Sequence, residues 1–250
     1  MIICDFHVHS DFSDGRLSIS ELVDFYGSRG FGAIAITDHI CEEDGLFGWA
    51  ALHLKRTLTP FHFSKYMQSL EEEAQRAWTL YKMVVIPGFE LTMNSLSKDR
   101  SAHILALGVH EFIGADPDII GQISQINAQG ALAIAAHPVS TQKIEKQTYH
   151  LWSRREELRN HFDAWEVASG PHLFDEVLKT DLPKIANSDL HHPRQISSWK
   201  TILACERHPQ AILDAIRRQE VSFRFYQDVV PNRNQTQSSF HFQKIQLISG

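Results

Sequence analysis

Cysteine is scarce in this chain of 250 residues: only Cys4, Cys41 and Cys205, an odd number with no CxxC pair. That excludes a disulfide framework and points to a reducing, cytoplasmic compartment. A basic excess is missing as well, since 24 Lys and Arg stand against 30 Asp and Glu, for a net charge of −6. A protein built to coat long DNA or RNA needs the opposite balance. A small phosphorylated or nucleotide-like partner stays open, because bound metals can supply positive charge. Long apolar runs are absent; stretches such as FGAIAI at 31–36 fall far short of a membrane span. The first residues, MIICDFHVHSDFSDG, have no basic segment and place Asp5, His7 and His9 where the apolar part of a signal would run, so no secretory signal is expected. Glycine and proline, 13 and 9, are too few for a collagen-like or linker-like chain, and no internal repeat is visible.

What the chain has instead is a full apolar complement, 43% of residues, and an unusual 15 histidines. The first suffices for one large α/β domain. The second matters through placement, since histidine is the commonest metal ligand.

Short apolar runs alternate with helix-like stretches. IICDF at 2–6 and AIAIT at 33–37 read as strands, with a helix between them opened by Ser18 and Glu21 in a capping-box spacing and stopped by Gly30. A helical pattern covers about 62–82. VVIPGFEL ends a strand near Glu90, and HILALG at 103–108 is another. Asp116-Pro117 opens a helix that Gly130 ends. LAIAAHP at 132–138, AWEVA at 164–168, KIANSD at 184–189, KTILAC at 200–205 and VSFRFY at 221–226 follow as strands, with a helix over about 209–219. Strands of this kind between helices predict a largely parallel sheet, and seven or so units favour a closed barrel over an open sheet. Residues 1–226 read as one domain. The Asn-, Gln- and Ser-rich stretch 227–250 reads as a polar tail.

The candidate chemistry gathers at strand ends. His7 and His9 follow the first strand at i and i+2, so both rings can meet one cation. Asp14 sits in a Ser-Asp-Gly turn just after them. His39 follows the second strand, Glu90 ends the third, His137 ends LAIAAHP, and Asp189 and His191 end KIANSDLH. His103 is the exception, at the start of its run; either that strand begins later or His103 reaches in from a loop. In a parallel barrel the C-terminal strand ends form one face, where active sites are built. Taken singly, each residue has a bland reading as a turn, a cap or a core histidine. Together they would be costly half-buried groups without cations to pair them. The remaining histidines, His53, His62, His110, His150, His161, His172, His208 and His241, lack this placement and are expected at the surface. His192 should point away from its neighbour. Asp5 and Asp38 are either supports for the ligands or purely structural.

The motifs HVHSDFSDG, TDH, GFE, HILALG, AAHP and NSDLH, in that order, resemble the polymerase and histidinol phosphatase (PHP) family of metal-dependent phosphoesterases, from the N-terminus to about residue 206. The resemblance implies a distorted (β/α)7 TIM-like barrel and a cluster of two or three divalent ions, zinc, manganese or iron. It implies that His7, His9, Glu90 and Asp189 hold the first ion, that Glu90 bridges to a second completed by His103 and His137, and that Asp14, His39 and His191 hold a third. Many relatives carry histidine where this chain has Asp14; aspartate marks the branch of general small phosphoesterases.

The implied activity is hydrolysis of a small phosphate ester by in-line attack of a metal-bound hydroxide. Glu90, Asp189 and His191 would stand closest to the chemistry. Arg16 and Arg194, beside the first and last ligand loops, are candidate phosphate contacts, and the 41–65 stretch with Trp49, Lys55, Arg56 and Lys65 is a candidate cover. Three other readings stay open: a nuclease trimming short RNA or DNA ends, a C–N hydrolase of amidohydrolase type, and a catalytically idle binding module.

Overall fold

The computed structural model describes residues 1–42, 50, 54, 56–94, 101–139 and 149–228. In chain order the elements are β1 (Ile2–Asp5), α1 (Ile19–Gly27), β2 (Ala33–Ile36), β3 (His39–Cys41), α2 (Pro60–Tyr81), β4 (Val84–Met93), β5 (Ala102–Leu107) and α3 (Ile119–Ala128). Then come β6 (Leu132–Ala135), α4 (Tyr149–Ser153), α5 (Arg155–Leu158), β7 (Ala164–Ser169), β8 (His172–Leu173), α6 (Asp175–Leu178), β9 (Lys184–Asn187), a 3-10 turn (Pro193–Ile196), β10 (Ser198–Leu203), α7 (Pro209–Arg217) and β11 (Val221–Tyr226).

Local sequence explains the helix ends. Ser18 caps α1 in a reciprocal box with Glu21, a device worth about 0.5–2 kcal/mol. Pro60 occupies the first turn of α2, where its missing N–H costs nothing, and Lys82 ends that helix in the left-handed region at φ 53°. The third helix starts later than its Asp-Pro pair suggests. Asp118 is its cap, accepting the Gly121 N–H at 3.0 Å, while Asp116 accepts the N–H of Asp118.

All the strands of the described residues belong to one curled sheet, in the order β11-β10-β1-β2-β4-β5-β6-β7-β8, with β3 on β4 and β9 on β7. The expectation of a largely parallel sheet is corrected here. β1–β2, β2–β4, β3–β4, β6–β7 and β7–β9 are parallel, but β1–β10, β10–β11, β4–β5, β5–β6 and β7–β8 are antiparallel. The reason is partly chain length. Met93 and Ala102 are too close in sequence for a crossover helix, so β5 must return beside β4 in the opposite direction. A parallel bridge from Val8 to Leu190 brings the segment after β9 against the segment after β1, with His9 N–H donating to Leu190 O at 2.9 Å.

Period-two alternation sorts the core. Ile2, Cys4, Ala33, Ala35, Val84, Ile86, Leu105, Leu107, Leu132, Ile134, Ala164 and Ile185 form one apolar cluster inside the curl, joined by Ile212, Leu213 and Ile216 of α7. Their sequence neighbours, among them Ile34, Val85, Ile104, Ala133 and Trp165, pack outward against α1, α2 and α3 in the larger cluster. Further along the strands the inner positions become polar. On β4 the series Val84, Ile86 continues to Glu90. On β5, read backwards, Leu107, Leu105 continues to His103, and on β7 Ala164 is followed by Glu166. The sheet thus has an apolar end and a polar end. Among the described residues no helix is long and apolar enough to cross a membrane.

Candidate metal centre

The polar end brings together all nine candidate ligands. His7 and His9 lie in the extended chain after β1, and Asp14 in the turn that follows. That turn folds tightly back: Gly15 donates its N–H to Ser10 O at 2.9 Å, and a Cβ on Gly15 would lie 2.1 Å from the carbonyl oxygen of His9. Only glycine permits this approach, which sets Asp14 beside His9. His39 opens β3 and pairs in register with Glu90 of β4. His103 is no exception after all. β5 is antiparallel to β4, so its first residues lie at the same end as the last residues of β4, with His103 opposite Thr92. His137 and Asp189 follow β6 and β9, both at positive φ, 26° and 52°. Strain of that kind in non-glycine residues persists only where the surroundings enforce it.

Glu90 is the centre of the array. Its Oε1 lies 3.5 Å from His7 Nε2, 3.0 Å from His103 Nδ1 and 3.3 Å from His137 Nε2, and its Oε2 lies 2.8 Å from His39 Nδ1 and 3.7 Å from His9 Nε2. Asp189 Oδ1 lies 3.2 Å from His9 Nε2, 3.3 Å from His7 Nε2 and 3.4 Å from His191 Nδ1. Asp14 Oδ1 lies 3.2 Å from His191 Nε2 and 3.5 Å from His39 Nε2. Four groups have ligand atoms within 4.8 Å of one another: His7, His9, Glu90; His7, His137, Asp189; Glu90, His103, His137; and His9, Asp14, His39, His191.

These residues fit divalent cations, on two grounds. The donors are imidazole and carboxylate without thiolate, which suits zinc, manganese and iron alike. And although the atoms face one another, His7 Nε2, both nitrogens of His9, Asp14 Oδ1 and Glu90 Oε2 are buried without a hydrogen-bond partner among the described residues. Buried polar atoms are rarely left so, and each would otherwise be costly.

The electrostatics follow from crowding. Burial, with His191 and His39 stacked beside it at ring-centroid distances of 4.0 and 4.4 Å, pushes His9 down to about 3. Burial also works against charge on His191, but Asp189 and Asp14 outweigh it and raise that histidine to about 9. His7 is raised too, its burial overcome by Asp189, Glu166 and Glu90. Burial disfavours charge on Glu90 and Asp189, yet the surrounding imidazoles hold both well below the usual carboxylate range.

Below the ligands lies a layer of support. Asp38 accepts from Ser10 N–H, Ser10 Oγ and Ser13 Oγ at 2.9, 2.6 and 2.5 Å, fixing the loop between His9 and Asp14. Asp5 accepts from Tyr26 Oη, Ser188 N–H, Ser188 Oγ and the wholly buried Lys200, tying down the residue before Asp189. Both are therefore supports rather than mere core residues. His192 turns away, as expected, and accepts the N–H of Arg194 at the head of the 3-10 turn. Glu166, wholly buried, was not among the sequence candidates, although a lone carboxylate inside an apolar strand was its signal.

Arg16 and Arg194 are both exposed, and the Arg16 N–H donates to His191 O at 2.9 Å, which puts that residue at the rim. Arg56 and Lys65 are exposed; Trp49 and Lys55 lie outside the described residues. His62, His110, His161, His172 and His208 are exposed and His150 is half-buried, whereas His53, His241 and the tail beyond Asp228 lie outside the described residues.

A model of the PHP domain matches residues 5–204. The chain belongs to the PHP family. No curated protein matches it significantly. Among solved structures it is similar to a two-domain protein from Bacteroides vulgatus containing a predicted PHP-like metal-dependent phosphoesterase, at 23% identity and TM-score 0.66. That match covers 90% of this chain but 65% of the other, so this PHP chain spans about two thirds of that protein's length. Two weaker similarities are to a protein from Bifidobacterium adolescentis named provisionally as a metal-dependent phosphoesterase and to an amidohydrolase from Chromobacterium violaceum holding sulfate and no metal. The first has 17% identity, TM-score 0.47 and coverage of 75% and 87%; the second 16%, 0.46, and 76% and 88%. The Bacteroides structure shows that the PHP fold here is an α/β fold with one curled sheet.

Proposed function

We propose that this PHP chain is a metal-dependent hydrolase of phosphate esters, acting on a small phosphomonoester or a nucleotide-like substrate. The observation that carries the reading is the set of buried, unbonded ligand atoms converging around Glu90. The run of pairings β1-β2-β4-β5-β6-β7-β9, returning to β1 at the Val8–Leu190 bridge, supports a distorted seven-stranded barrel with this site at its mouth.

His7, His9, Glu90 and Asp189 would hold one cation, Glu90 with His103 and His137 a second, and Asp14, His39 and His191 a third. When bound, such cations supply Lewis acidity and a water acidic enough to attack phosphorus at neutral pH. The chain's own groups do the rest. Glu90 and Asp189 hold the ligand array around a single point. His191, with 29% of its side chain exposed at the rim, would hold a proton for the leaving oxygen only while the third cation is not bound to it. Arg16 and Arg194, exposed beside the first and last ligand loops, would be partners for phosphoryl oxygens. The net charge of −6 and the lack of a basic stripe favour small substrates over long nucleic acid.

The test is a hydrolysis screen of phosphomonoesters and short oligonucleotides with manganese, iron or zinc. The expected result is cation-dependent release of phosphate or nucleotide, abolished by chelator and by His7→Ala or Asp189→Ala. Preference for oligonucleotides would redirect the reading to an end-trimming nuclease. Full cation binding with no turnover of any ester would overturn it in favour of an idle binding module.

A further inference from the structure

Glu166 sits on the inner face of β7, wholly buried, and belongs to none of the groups among the described residues that could hold a cation. Its carboxylate is occupied otherwise. Oε1 lies 3.0 Å from His7 Nδ1 and accepts Asn187 Nδ2–H at 2.9 Å, and Oε2 accepts the backbone N–H of His137 at 2.7 Å. The amide of Asn187 has a fixed orientation, because its Oδ1 accepts the Phe6 N–H at 3.0 Å. An acceptor-only carboxylate that already takes two N–H groups leaves Nδ1 of His7 one role, that of donor. In the neutral, ligating form of His7 the lone pair is then on Nε2. That atom has no hydrogen bond among the described residues and lies 3.3 Å from Asp189 and 3.5 Å from Glu90. The same carboxylate holds His137, whose backbone stands at φ 26° and whose Nε2 lies 3.3 Å from Glu90. With Glu90 as the common member, His7 groups with His9 and His137 groups with His103, and the two histidines also meet each other at Asp189.

We propose that Glu166 is the positioning residue of the metal centre: it selects Nε2 of His7 as the ligand atom and holds His137 in its ligating pose, so that the cations on either side of Glu90 load together. This rests on the reading of the site as a metal centre. A carboxylate behind a ligating imidazole both orients the ring and raises its basicity, and loss of such a partner typically lowers metal affinity about 10–100-fold. The coupling arises because one rigid group serves a ligand from each side.

Glu166→Gln tests this without changing shape. Whichever way the amide turns, an N–H group faces an N–H group. Facing His137, it pushes that residue from its pose. Facing His7, it converts Nδ1 to an acceptor and moves the proton to Nε2, the atom the cation needs.

The experiment is a zinc titration of metal-free wild-type protein and of the E166Q variant, with zinc counted per chain. Nitrogen NMR of the imidazoles then reads which nitrogen of His7 carries the proton in the zinc-loaded protein. Wild type should load in one cooperative step and keep a proton on Nδ1 of His7. E166Q should bind about 10–100-fold more weakly and in separated steps. Equal affinity and equal cooperativity in the two proteins would overturn the proposal. So would a proton on Nε2 of His7 in the wild type, a readout that decides the matter even if E166Q does not fold, and one that a purely structural role for Glu166 would not move. A wild type that takes up no zinc, manganese or iron would instead remove the metal reading itself, and the proposal with it.

Discussion

His7, His9 and Glu90, at the floor of the site, are wholly shielded from solvent, whereas Asp14 and His191, at the rim, keep 27% and 29% of their side chains exposed. The floor residues lie on or directly beside paired strands, and their neighbours in the sheet leave them little freedom. The rim residues lie on turns: Asp14 is placed by the close approach of Gly15 to His9, and His191 by its N–H bond to Gln195 at 2.9 Å. The two regions share ligand chemistry but not its cost. A shielded imidazole or carboxylate must be compensated by a partner, while a half-exposed one can fall back on water. The floor should therefore bind cations tightly and fail as a unit, and the rim should bind more weakly and fail alone.

The largest effect is expected from Glu90→Ala. Five imidazoles, those of His7, His9, His39, His103 and His137, would lose their common carboxylate. Affinity for both floor cations should fall by more than the about 100-fold seen for partners behind a ligand. Calorimetric titration that still finds two tight sites would break the distinction. Asp14→Ala should act on the rim alone: one cation fewer per chain by elemental analysis, with the floor cations retained. Loss of all the cations together would show that rim and floor are one site. The smallest effect is that of pH. Below about 9, His191 must shed a proton before it can hold a cation, while His9, held near 3, need not. Rim affinity should accordingly rise about tenfold per pH unit between pH 6 and 8 for each proton displaced, with measurable proton release on binding. A rim affinity flat across that interval would contradict the assignment of His191.

Much of this was legible in the sequence, because the ligands stand at the ends of apolar strands that periodicity alone locates. His103 looked misplaced only because strand direction does not show in hydrophobic pattern; the short β4–β5 connection, which forces an antiparallel return, was the overlooked clue. β3 is three residues long, too short to leave a pattern, and gave no warning that His39 would pair in register with Glu90. The mixed sheet departs from expectation for the same reason as His103. Glu166 was hidden in AWEVA, where the eye follows the apolar residues. Its inner face, Ala164 and Glu166, becomes apparent only once the strand has a known inside. Lys200 is a similar case: nothing in KTILAC shows that its ammonium is buried 2.8 Å from Asp5.

The most direct test of the central claim is the metal content of protein purified without chelator or a histidine tag. About two to three equivalents of manganese, iron or zinc per chain are expected if the converging, unbonded ligand atoms are a cation cluster. Near-zero metal, unrestored by adding each ion in turn, would contradict it.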